Sequence, residues 1–390
     1  MSNKLLLLAS SFLSLVALEA GLEQFGPVAF EMSQRQFIEG LGPWRAPNTK
    51  VPVPAYSTEN PPSYVTNDLG MVETSRAADG ANRVTIAFLG DSMIEGLAVS
   101  EERRVTELVE EICPQSLRVN NFASSGIGTI QELAVYSTLV RASNPDVVVL
   151  GLFPANDIAN NSRELQIQLG DTFLSQWIWG SLESDSLVLH NPTPVTQPRP
   201  PILRRLMPAS YAHLWVLKQR ILHRFSKSGS AMAEGAAGYL EVYNPKTESR
   251  QWKAAWDLTE QALLHLRDLV TQDSARFVVA ILPDPAQAYD DPIGQLEIET
   301  GHAVDPDVDV FYPHLRLEHF LQENHIEYVP LFRQFDQYRR TNRLQPPYFG
   351  FPTDGHWNPL GHQVAAASLN GIVASYCQPN TGDSLYTIGH

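Results

Sequence analysis

Val84-Thr-Ile-Ala-Phe-Leu-Gly-Asp-Ser92 joins an unbroken β-rich run to a glycine, an acid and a serine. A run this continuous does not suit a one-sided sheet and predicts a strand at 84–89 buried on both faces. Working outward, Val105, Leu108, Val109 and Ile112 recur at helical spacing and predict a helix over 103–112. The pattern then predicts a strand at 118–122, a helix at 130–142 and a buried strand at 146–153, which contains Val147, Val148, Val149 and Leu150. After a long gap come a helix at 254–270, a strand at 277–282, a helix opened by Pro313 at 313–324, a strand at 326–331 and a last helix at 360–376. Strands alternating with helices predict an α/β fold, a doubly wound and mostly five-stranded parallel sheet covered on both faces. Such sheets bind ligands beyond the carboxyl ends of their strands, at the point where strand order reverses.

Hydrophobic residues at 43% and charged residues at 18% describe a folded chain with a substantial core. The formal charge of −15 argues against nucleic acid as a partner, because phosphate binding needs a basic face. Lys4 followed by the apolar run Leu5–Leu18 reads as an export signal or a membrane anchor for residues 1–20. The run is shorter than the roughly 20 residues that span a bilayer as a straight helix. The implied location is exported: periplasmic, membrane-anchored or extracellular, with membrane association through the N-terminus. Cys113 and Cys377 are the only cysteines, so no disulfide framework is expected, and two buried thiols are favoured over a single bridge.

Residues 21–82 read as an extended lead-in, rich in Pro, Asn and Ser from residue 40 onward, and 83–376 as the main α/β domain. An insertion at 160–250 interrupts that domain. It holds the proline-rich 191–208, an apolar stretch at 211–225 suited to a capping helix and the Ser/Gly/Ala-rich 226–238. Residues 377–390 form a tail.

Three of the predicted strands end in polar or glycine-bearing turns: Gly90-Asp91-Ser92, Asn121 to Gly126, and Pro154-Ala-Asn156-Asp157. A fourth segment, Asp354-Gly355-His356, stands just before the helix signalled by Asn358 and Pro359. A serine hydroxyl becomes a useful nucleophile when a neighbouring base takes its proton. Ser92 is the candidate nucleophile, His356 the base and Asp354 the acid that orients the imidazole. In an extended segment, residues two apart project to the same side, which would bring Asp354 and His356 to Ser92 from one loop. The developing oxyanion needs donors, and the candidates are the Ser92 N–H, the Gly126 N–H and the Asn156 side-chain amide. His362 reads as structural, and Glu95, although near Ser92, has no required part in this chemistry. No metal or other cofactor is called for. His314 and Glu318 share a helix face without a third ligand, and Asp305, Asp307 and Asp309 lack the glycine and glutamate of a calcium loop.

The order and spacing of these four segments resemble the four sequence blocks of the SGNH/GDSL hydrolase superfamily over residues 84–376. Ala123 stands where block two usually has glycine, Pro154 where block three has glycine, and Asp354-x-His356 replaces the usual Asp-x-x-His. The last, with Trp357, is similar to SGNH-like proteins that O-acetylate exported polysaccharides. The resemblance implies a flavodoxin-like SGNH sheet with a large helical insertion, and a serine esterase acting on short acyl esters of small molecules or carbohydrates. An O-acyltransferase of a cell-surface glycan and a non-catalytic carbohydrate-binding envelope protein are the alternatives. The insertion at 160–250 is the expected chooser of substrate.

Overall fold

The computed structural model describes residues 35–51, 64–73, 83–169, 176–184, 186–192, 238–246, 249–346, 348–351 and 355–377, with Ser14 and Leu18. Apart from Ser14 and Leu18, the proposed leader lies outside these residues, as do the capping stretch at 211–225, Asp354 and the tail beyond 377. Among the described residues no helix is long and apolar enough to cross a membrane.

The predicted sheet is present. Its strands are β5 (Val84–Gly90), β6 (Leu117–Asn121), β7 (Val147–Leu152), β10 (Arg276–Ile281) and β11 (Glu327–Pro330). All four pairings are parallel and the order is β6-β5-β7-β10-β11. The chain starts in the middle, steps to one edge with β6, then returns past its start to build the other edge. Strand order therefore reverses between β5 and β7, where a ligand crevice is expected. Along β5, Ala87 and Leu89 enter one core while Ile86 and Phe88 enter the other, the period-two alternation of a strand covered twice. The first core is roofed by α3 (Thr129–Val135) and α6 (Arg250–Gln272), whose Trp252 and Trp256 are 1% exposed. The second is roofed by α2 (Val105–Ile112), α9 (Leu331–Asn342) and α10 (Pro359–Val373).

The lead-in contributes packed structure. β1 (Arg35–Ile38) and β2 (Gly42–Arg45) form an antiparallel hairpin, and β3 (Lys50–Val51) pairs with β4 (Tyr64–Val65). Leu41 and Trp44 have no exposed surface, and the Trp44 indole donates to the Leu69 carbonyl over 2.8 Å. The described part of the insertion combines the helix α5 (Arg163–Gln168) with a hairpin of β8 (Trp179–Glu183) and β9 (Ser186–His190).

The two cysteines are not separate thiols. Cys113, just past α2, is disulfide-bonded to Cys377, in the turn beyond α10, with 5.6 Å between Cα atoms. The packing of α2 beside α10 in the second core brings the two ends within bonding reach. His314, on the helix face it shares with Glu318, does not face solvent. Fully buried, it takes a hydrogen bond from Gln287 at Nδ1 and gives one to the Leu282 carbonyl from Nε2, each 2.8 Å long. Burial pushes its pKa down to about 4, which keeps the ring neutral.

Candidate active site

β5 delivers the serine. Gly90 ends the strand, Asp91 is the N-cap, and Ser92 opens the short helix α1 (Ser92–Glu95). The Asp91 Oδ1 accepts the Met93 N–H over 2.8 Å, satisfying a donor that the start of a helix leaves open. The helix can sit this close to the sheet because the strand positions beneath it lack side chains. A Cβ on Gly151, which pairs with Gly90, would lie 2.4 Å from Ile94 Cγ1, and one on Gly90 would lie 2.6 Å from it. Ser92 is thus held half-buried at the carboxyl edge, beside the reversal of strand order.

His356 reaches the same point from the far end of the chain. Its Nε2 lies 2.8 Å from Ser92 Oγ across 264 residues of sequence. The loop that carries it is tightly tied. Phe351 N–H donates to the His356 carbonyl (2.9 Å) and Asn358 N–H to the Phe349 carbonyl (2.8 Å). Asn358 also caps α10 through the Gly361 N–H (3.0 Å). Gly355 has φ +81°, so the segment before His356 bends through a left-handed residue where sequence reasoning had a plain extended one. Trp357, 2% exposed, packs edge-on against His362 and seats the loop in the second core. His362 is structural: it accepts the Val105 N–H (3.2 Å), and burial, aided by Arg104 and His356, pushes its pKa down to about 3.

The third strand end supplies Asn156. Pro154 occupies the first turn of α4 (Pro154–Asn160), where its fixed φ suits a helix and its missing N–H costs nothing. Proline can therefore stand where glycine was expected, and Asn156 still faces the end of β5: its Nδ2 donates to Asp91 Oδ2 over 3.1 Å. Ala123 is tolerated as well, because its φ is not positive; its N–H goes to Asn121 Oδ1 (3.1 Å). Gly126 does need to be glycine, with φ +78°. Among the described residues no protein acceptor takes the Ser92 or the Gly126 N–H. A recess of about 20 Å³ opens beside Ser92, bounded by Met93, Leu97, Ala98, Ser125 and Trp357, room for a group of about one water molecule's size.

Beneath the site lie acids whose importance the sequence reading missed. Glu95 is 1% exposed; it takes the Ser125 N–H (2.9 Å) and hydroxyl and forms an ion pair with Arg45, which is 3% exposed. On the other side, Asp91, Glu132 and Asp157 have no exposed surface. Burial raises the Asp91 carboxyl above its usual range, against the pull of hydrogen bonds from Met93 and Asn156. Glu132 is raised well above its usual range by burial and by Asp91, and Asp157 by burial, Glu132 and Asp91. An aspartate before a helix-opening serine was readable as a cap; the partners of Glu95 and Glu132, distant in sequence, were not. Among the described residues no cluster of three His, Cys, Asp or Glu is arranged to hold a metal.

No family model and no curated protein matches the sequence. Solved structures that do match include a catalytic mutant of Axe2, an acetylxylan esterase from Geobacillus stearothermophilus, at 14% identity and a TM-score of 0.40, covering 77% of this chain and 99% of that one. An acetyl xylan esterase, AlAXEase, matches at 13% identity and a TM-score of 0.37, over 74% of this chain and 100% of its own. A GDSL-like lipase from Bacteroides thetaiotaomicron matches at 11% and 0.34, over 75% and 88%. Likeness at this level is distant, and the functional reading rests on the site itself.

Proposed function

We propose that this protein is a serine esterase of the SGNH/GDSL type that hydrolyses short-chain acyl esters, acetyl groups on a carbohydrate among them. The observation that carries the reading is the 2.8 Å hydrogen bond between Ser92 Oγ and His356 Nε2 at the reversal of strand order. In the proposed reaction His356 takes the Ser92 proton as Oγ attacks the ester carbonyl, then gives it to the leaving alcohol. Asp354 orients the imidazole. The oxyanion is bound by the Ser92 and Gly126 N–H groups and by Asn156 Nδ2, whose other hydrogen serves Asp91. Water, activated by His356, attacks the acyl-serine and releases the acid. The small size of the recess beside Ser92 suits a short acyl group.

The disulfide between Cys113 and Cys377 supports an exported location, since such bonds persist in oxidising compartments. The test is release of p-nitrophenol from p-nitrophenyl acetate, with a glycan oligomer added in parallel as acceptor. Ser92→Ala should lower kcat by about 10⁴-fold or more while leaving the circular dichroism unchanged. Acetylated glycan among the products would make water the minor acceptor and the protein an O-acyltransferase. Equal turnover by the two proteins would sink the catalytic reading and favour a carbohydrate-binding role.

A further inference from the structure

We propose that Glu95, held in place by Arg45, is a positioning residue: its carboxylate pins the Ser125 backbone and so sets where the adjoining Gly126 N–H points. The proposal rests on the serine-esterase reading for its kinetic consequence, and on geometry alone for the anchoring itself. α1 begins with Ser92 and ends with Glu95, so the nucleophile and this carboxylate belong to one rigid turn. Glu95 Oε2 receives both the N–H (2.9 Å) and the hydroxyl of Ser125, the residue before Gly126. Arg45, arriving from the β1–β2 hairpin, pairs with Glu95 and extends its Nη1 to within 3.5 Å of Ser124 Oγ. One buried ion pair thereby ties the nucleophile helix, the oxyanion turn and an upstream hairpin to a common point.

Energetics alone do not explain why charges stand here. A buried ion pair is often no more stabilising than apolar groups of the same volume, because both ions give up their hydration. Apolar groups, however, could not accept the Ser125 N–H, and the turn would then be free to settle elsewhere. An oxyanion donor works only when aimed at the place the oxyanion will occupy, within about 2.7–3.1 Å. A carboxylate on the nucleophile's own helix is a direct way to fix that distance, since the turn must then move with Ser92.

The experiment compares two double variants of the full chain, Arg45→Met with Glu95→Gln and Arg45→Met with Glu95→Leu. Both remove the two charges of the pair together and leave Arg35, which also feels the Glu95 charge, in the same setting in either variant; only the first keeps an oxygen that can accept the Ser125 N–H. The leucine form is expected to have a kcat lower than the glutamine form by about tenfold or more, with KM alike, since a misdirected oxyanion donor acts on the transition state. Equal kcat values in two folded variants would overturn the proposal. Should the leucine form fail to fold, Glu95→Asp carries the test: it keeps the charge but withdraws the acceptor, and an unaltered kcat would overturn the proposal equally. Amide hydrogen exchange at Ser125 and Gly126 separates this failure from failure of the enzymatic reading. Without any Ser92-dependent turnover, faster exchange in the leucine form than in the glutamine form would still establish the anchor, and equal exchange would remove it.

Discussion

Asp91 serves two neighbours with one carboxylate, closing the start of α1 at Met93 and holding the Asn156 amide. The Asn156 amide has two hydrogens, so binding Asp91 orients the second without consuming it. Asn156→Ala should therefore lower kcat by about 10²–10³ at nearly constant KM, read from initial rates on p-nitrophenyl acetate. The acid pair below behaves differently. Glu132 is fully buried, and among the described residues neither of its oxygens has a hydrogen-bond partner, nor does Asp157 Oδ1. A carboxyl in that setting keeps its proton. Glu132 holds its proton more tightly folded than unfolded, as its raised pKa states. From the ordinary carboxylate range, about 4.3, up to that raised value, the native state carries the extra proton and stability falls as pH rises. Glu132→Gln removes the liability, so its denaturant midpoint should exceed that of the wild type at neutral pH. The gap should close as the pH is lowered to about 4, and a gap independent of pH would refute the assignment.

At the level of elements, the site depends on how closely α1 approaches the sheet. Gly90 and Gly151 lie side by side on β5 and β7, and both face Ile94. Gly151→Ala places a methyl group 2.4 Å from Ile94 Cγ1, an overpacking that should cost about 1–3 kcal/mol in urea unfolding and displace Ser92 from His356. Ile94→Val in the same chain should return part of both losses. The central strands and the large helices were legible in the sequence because each repeats one pattern over many residues: Val147 to Leu150 could only be buried, and α6 shows its apolar stripe from Trp252 to Val270. The elements that went unread are short or polar. α9 was hidden by the arginines and glutamines around Leu331, Phe332 and Phe335, although those three keep helical spacing. The edge strand β6 is finished by remote carboxylates: Glu110 accepts the Val119 N–H and Glu73 the Asn121 N–H, each over 2.8 Å. They close an edge that could otherwise pair with another chain, and local sequence gives no notice of them. The approach of His356 to Ser92 was legible because a strand end and a helix-opening loop carry the two residues; Arg45 was not, because its pairing with Glu95 exists only after folding.

Across the whole molecule, the site is assembled from both ends of the described chain, with Arg45 from the first hairpin and His356 from the last loop. Its geometry consequently depends on long-range closure, and the disulfide between Cys113 and Cys377 is the covalent part of it, joining positions 264 residues apart. The bond ties α10, whose first turn seats the His356 loop through Asn358, to α2, whose Val105 N–H is held by His362. Closing so long a loop removes much of the freedom of the unfolded chain, a gain typically of about 2–4 kcal/mol. Replacing Cys113 and Cys377 together by serine should lower the free energy of unfolding in urea by that order. Ser92-dependent turnover should survive in the variant below its transition, because the bond lies at the ends of the two helices remote from Ser92 and His356, and its active and folded fractions should track each other through the transition. Loss of activity well before loss of structure would show instead that the bond holds the His356 loop directly, and that the catalytic edge is the first part of the molecule to come apart.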